Sequence, residues 1–103
     1  MPESAAETIA TVVDKFDAEL TDLRRDLHAH PELSWTETRT TDLVAARLGQ
    51  AGWRVDRLPE TGLIAEIGSG GRAVALRADM DALPVQDVTH DPWSSTVPGL
   101  AHA

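Results

Sequence analysis

Two carboxylates, Asp79 and Asp81, close the run Val74-Ala75-Leu76-Arg77-Ala78-Asp79-Met80-Asp81-Ala82-Leu83-Pro84. In an extended segment side chains alternate faces, so the two acids point the same way, with Cα atoms about 6.6 Å apart. A pair held so closely attracts a cation or a proton, and at least one pKa rises unless a metal, an arginine or water compensates. Taken alone, the same residues also read as a polar strand exit followed by a proline stop.

Other reactive groups carry less. Gly68-Ser69-Gly70-Gly71 lacks the G-x-G-x-x-G spacing and joins strand to strand, so it reads as a turn with no helix N-terminus to hold an anion. His28 and His30, two apart near a helix end, do not share a face, and H-E-x-x-H is absent; packing or capping is expected of each. Trp35, Trp53 and Trp93 could stack on a ring, but without a basic groove the first two are expected in the core or at its rim. Ser34, Ser69, Ser94 and Ser95 show no nucleophile-elbow pattern.

The elements that must position Asp79 and Asp81 can be read along the chain. Apolar residues Val12, Val13, Phe16, Leu20, Leu23 and Leu27 recur at steps of three and four, predicting one amphipathic helix over about 4–28, with Arg24, Arg25 and His28 in its last turn. Pro31 ends it. Ser34-x-x-Glu37 has capping-box spacing, predicting a second helix to about residue 50, closed by Gly49 or Gly52. Short strands follow at 53–57 and 63–67, separated by Pro59-Glu60-Thr61-Gly62. A hairpin connection at 68–71 leads to a third strand at 72–78, apolar enough to be covered on both faces. Beyond Pro84 the signals point to a loop or edge segment crossing a site mouth. The chain has no internal repeat.

Composition bounds the function. At 103 residues the chain is one domain at most, able to bury roughly two thirds of its unfolded surface. The 42% hydrophobic and 25% charged fractions are those of a globular protein. A net charge of −8 repels phosphate backbones and anionic lipid, so neither nucleic acid nor membrane is an expected partner. The absence of cysteine removes disulfides, thiolate zinc sites and a thiol nucleophile from this stretch. An acidic start and the lack of an apolar run of ~20 residues lead us to expect a cytoplasmic chain.

Read together, Leu23-Arg24-Arg25-Asp26-Leu27-His28-Ala29-His30-Pro31-Glu32-Leu33-Ser34, Glu37, the 77–84 run and Ala101-His102-Ala103 resemble the metal-dependent amidohydrolases of the aminoacylase, hippurate hydrolase and indole-acetyl-amino-acid hydrolase type. The likeness runs from about Ile9 to the last residue, and three motifs in order make it specific. It implies hydrolysis of the amide of an N-acyl amino acid or similar small amide by two divalent ions, zinc or manganese, with a glutamate that activates water. The fold it implies is α/β: two N-terminal helices packed on the first strands of a mixed sheet, an incomplete piece of a zinc-peptidase-like catalytic domain. In the family a smaller inserted domain makes dimer contacts. Residues 1–103 would be the N-terminal part of the catalytic domain.

In that family the His-Ala matching His102-Ala103 is followed by Cys-Gly-His-Asp, whose Cys and His bind metal, and a glutamate pair and two histidine ligands come later. None of these lies in the present sequence. Asp79 stands where the wider superfamily has a metal-binding His, and Asp81 where it has the Asp that orients it. The resemblance therefore implies an orienting role for Asp81, a site-lining one for Asp79, and a place beside the ligands for His102. The His28 to Leu33 motif would join the two helices.

Such a donor set completes no pair of metal sites, so no tightly bound metal and no turnover are expected of these residues alone. A different expectation is a non-enzymatic α/β unit that binds a partner, or another copy of itself, through an exposed sheet edge. A free-standing acid/base enzyme ranks last, because its carboxylates would face across a cleft and not along one strand.

Overall fold

The computed structural model describes residues 4–103. Its elements run α1 Ala5–Lys15, α2 Asp17–Ala29, α3 Thr38–Gln50, β1 Arg54–Arg57 and β2 Leu63–Glu66, an α/β arrangement. The single helix expected over 4–28 is divided at Phe16, whose φ of −103° and ψ of 9° leave the helical region for one residue. Each half carries its own charge pattern. Glu7 and Lys15 sit in the first and last turns of α1, Asp17 and Glu19 in the first turn of α2 and His28 in its last, so both dipoles are complemented separately. A reciprocal capping box, Ser4 with Glu7, starts α1.

α3 is not started by the Ser34 and Glu37 box. The Glu32 carboxylate reaches forward and accepts from the Thr38 hydroxyl and from the backbone N–H groups of Arg39 and Thr40, at 3.2, 3.0 and 2.6 Å. Of the two glycines considered for its end, Gly52 closes it, at φ 90°. Gly52 N–H donates to Gly49 and Trp53 N–H to Leu48, satisfying two of the last carbonyls.

β1 and β2 pair antiparallel, with Val55 opposite Ala65 and Arg57 opposite Leu63. Val55, Leu63 and Ala65 are the less exposed positions, and both strands lie against α3. The hairpin between them needs Gly62 at φ 86°, whose N–H donates to Thr41 Oγ1 and whose carbonyl accepts from Leu58 N–H.

The third strand does not form. Residues 72–78 run as unpaired chain, with Val74 93% and Leu76 97% exposed, so the glycines at 68–71 close no hairpin. The pattern is that of a strand, but the only sheet among the described residues is β1–β2. Pairing needs a neighbour as well as a pattern, and none of the described segments lies alongside. Trp35 departs from the expected core or rim packing: it is 73% exposed at φ 68°, outside any core, on the turn where the Thr36 N–H donates to the Leu33 carbonyl. Trp53 is half-buried as expected.

Candidate functional site

After the unpaired stretch the chain is gripped again. Ala82 N–H donates to the Glu32 carbonyl at 2.8 Å, in a parallel bridge of Leu33 with Ala82. Leu83 and Ala101 then exchange two backbone hydrogen bonds at 2.8 and 3.1 Å. Ala82 and Ala101 are buried, and Asp81 and His102 flank these two anchors in sequence. Small buried side chains let the three backbone segments approach, which brings His102 Nε2 to 3.1 Å from the Met80 carbonyl.

The two carboxylates are treated differently. Asp79 Oδ1 accepts from Arg77 Nε at 3.0 Å in an exposed ion pair, so an arginine compensates its charge. Asp81 is exposed and has no side-chain hydrogen bond among the described residues. Asp79, Met80, His102 and His28 all border one cleft of about 740 Å³, whose remaining walls include Leu23 and Leu27. Asp81 does not line it.

His28 was expected to pack or cap, and it does more. Its Nε2 lies 3.3 Å from Asp87 Oδ2, with the two side chains 21% and 6% exposed, and its ring centroid is 6.1 Å from that of His102. Asp87 also accepts from Ser95 N–H at 2.9 Å, and from the hydroxyl and N–H of Thr89 at 2.6 and 2.9 Å. Those bonds, the Ser95 one foremost, then the Thr89 hydroxyl and N–H, hold its carboxyl far below the usual carboxylate range. His30 Nδ1 meets the Asp26 carbonyl at 2.8 Å, a cap on the last turn of α2. The loop of residues 84–100 is tied to the end of α2 a second time, where Thr96 N–H and Oγ1 both donate to the Ala29 carbonyl. Asp87 escaped the reading of the sequence because a lone loop aspartate has no spacing pattern. The one signal was Asp87-x-Thr89, the spacing of a side-chain turn.

Tested as a metal centre, these residues do not fit. Among the described residues no three His, Cys, Asp or Glu side chains converge on a point that could hold an ion. Asp79 is occupied by Arg77, His102 Nε2 by a carbonyl, and His28 by Asp87. The arrangement can shape and border a cleft; it assembles no set of metal donors. No helix among the described residues is long and apolar enough to cross a membrane.

No family model matches the chain. Individual proteins do. It is 44% identical over 92 residues to the N-acetylcysteine deacetylase of Bacillus subtilis, covering 85% of this chain and 24% of that protein. It is 40% identical over 100 residues to an N-acyl-L-amino acid amidohydrolase of Geobacillus stearothermophilus, covering 94% and 27%. A Rhodococcus jostii protein named as a glutamate–cysteine ligase is 48% identical over 89 residues, 84% of this chain but 11% of the other, so its name describes mostly unmatched polypeptide. Among solved structures, a dinuclear metal-binding peptidase of the M20 family from Bacillus subtilis superposes with a TM-score of 0.80 at 42% identity, covering 86% of this chain and 26% of that one. The chain spans between 11% and 27% of the length of the curated relatives it matches.

Proposed function

From the premise that this chain is homologous to a segment of the amidohydrolases and peptidases of the M20 type, we propose that residues 1–103 are the N-terminal part of the catalytic domain of such a hydrolase. The observation that carries this is the superposition on the dinuclear peptidase, which joins fold and 42% identity over 86% of the chain. The substrate class proposed for the whole enzyme is a small N-acyl amino acid or related amide. Its metals are divalent, zinc or manganese, and its ligands come from polypeptide other than these residues.

The part played here is scaffolding. α2 and α3 wall the cleft, and the bridges at Ala82 and Ala101 fix the backbone beside it. Asp81 orients a ligand supplied from elsewhere, which suits its exposed and unengaged carboxylate. We assign Asp79 a site-lining role and His102 a place beside the ligands, a reading supported by the position of both on the border of the cleft. On this reading these residues alone catalyse nothing, because the metal donors and the separate base belong to polypeptide outside them.

Calorimetric titration of the purified 103-residue chain with zinc or manganese should show no tight two-site binding, and assays with N-acetyl and N-benzoyl amino acids no turnover. Chelator-sensitive hydrolysis by this chain would overturn the silent-scaffold reading. Unrelated sequence beyond codon 103, in place of an in-frame Cys-Gly-His-Asp, would remove the enzyme reading itself.

A second reading rests on residues 72–78. An apolar, unpaired and exposed segment is a template for pairing, so a non-enzymatic unit that binds a partner or a second copy there also accounts for it. Gel filtration tests its self-pairing form, since a compact monomer at all concentrations counts against pairing between copies.

A further inference from the structure

Hydrogen-bond chemistry fixes more of His102 than its position. The Met80 carbonyl only accepts, so the hydrogen between it and His102 must be carried by Nε2. In a neutral ring that leaves the lone pair on Nδ1. Likewise the Asp87 carboxylate, ionised by its bonds from Ser95 and Thr89, requires the hydrogen on His28 Nε2. The His28 ring, so held, stands tilted at 41° against the His102 ring, and both border the cleft. The loop that carries Asp87 ends at the Leu83–Ala101 bridge, one residue before His102.

We propose that Asp87 and His28 are positioning residues for His102: Asp87 fixes the His28 ring and the loop, and His28 holds the His102 imidazole against the Met80 carbonyl, in the form whose lone pair is on Nδ1. Calling the cleft part of a hydrolytic site rests on the function proposed above; the positioning itself does not, and it is read without any activity.

The test is the nitrogen-15 NMR spectrum of the imidazoles in the 103-residue chain. At a pH above the ordinary imidazole range, where the ring is neutral, His102 of the parent should show Nε2 protonated and Nδ1 bare. His28→Gln keeps a donor for Asp87 but removes the ring, and Asp87→Asn removes the charged acceptor. Each variant should keep its helical circular dichroism yet shift His102 toward a mixture of both tautomers. Under His28→Gln the Trp93 indole signal, which reports the loop, should stay in place. Unchanged His102 nitrogens in a folded variant overturn the proposal for the residue replaced. Global unfolding by Asp87→Asn would assign Asp87 to the fold and overturn its half, leaving His28→Gln to decide the other.

Discussion

Glu32 Oε1 accepts the backbone N–H of Thr40 at 2.6 Å, so a side chain six residues ahead of α3 caps that helix. With the Arg39 N–H on Oε2, two of the four unpaired N–H groups of the first turn are satisfied by one carboxylate. Its backbone also holds the Ala82 N–H, so the helix start and the approach to Asp81 share a residue. Glu32→Ala should cost about 1 kcal/mol, as loss of a helix cap does. Urea unfolding followed by circular dichroism reads it, and a midpoint equal to the parent's would refute the capping role.

The pH dependence of that cap has a defined sign. Burial works to raise the Glu32 carboxyl, but the bonds from Thr40, Arg39 and Thr38 outweigh it, and the group titrates below its ordinary value. A depressed folded pKa adds stability that is fully present above the unfolded value of about 4.3 and is lost as pH falls through the folded one. The difference in unfolding midpoint between parent and Glu32→Gln should therefore shrink as the buffer is taken from neutral to acid. A difference that grows on acidification contradicts it.

Asp87 behaves in the same direction and more strongly. Its carboxyl is held down chiefly by the Ser95 N–H and by Thr89, so the loop it organises should survive acidification past the ordinary aspartate range near 3.9. Trp93 lies on that loop with the Arg25 guanidinium 3.7 Å from its ring centroid, which gives a local reporter. The Trp93 indole proton signal should hold its shift on acidification until the carboxyl begins to protonate, and in Asp87→Asn it should be displaced already at pH 7. A signal that moves with the bulk of the carboxylates, between about pH 5 and 4, would mean that the loop is organised by something else.

How much of this was legible in the sequence depends on how local each cause is. The period of α3, its closure by Gly52 and the alternation of β1 and β2 are written within a few residues of where they act, and the chain folds accordingly. The break at Phe16 is not written that way, since no proline or glycine marks it and the apolar steps continue through it. Ser34 and Glu37 had the right spacing for a cap and lost to Glu32, whose reach is set by the turn at Trp35. Of the residues singled out in the sequence, Asp79 and His102 border the cleft and Asp81 does not, while the Asp87–His28 contact spans 59 positions and no spacing rule reaches that far.

The segment at 72–78 joins the sequence pattern to a physical consequence. Its residues have strand chemistry, and Leu76 keeps 97% of its surface in water, so burial contributes almost nothing at that position in the isolated chain. Leu76→Lys should therefore change stability by less than about 0.5 kcal/mol, as surface substitutions do. The same change places a charge in the middle of an open pairing edge, the device by which natural edge strands avoid one another. If copies pair through this segment, the parent should elute earlier from gel filtration as concentration rises, and the Leu76→Lys chain should not. Identical concentration dependence in both would remove residues 72–78 as the contact, whatever the stability measurement shows. A stability loss well above that limit would instead mean that Leu76 is buried in solution, and that the segment finds a neighbour within its own chain.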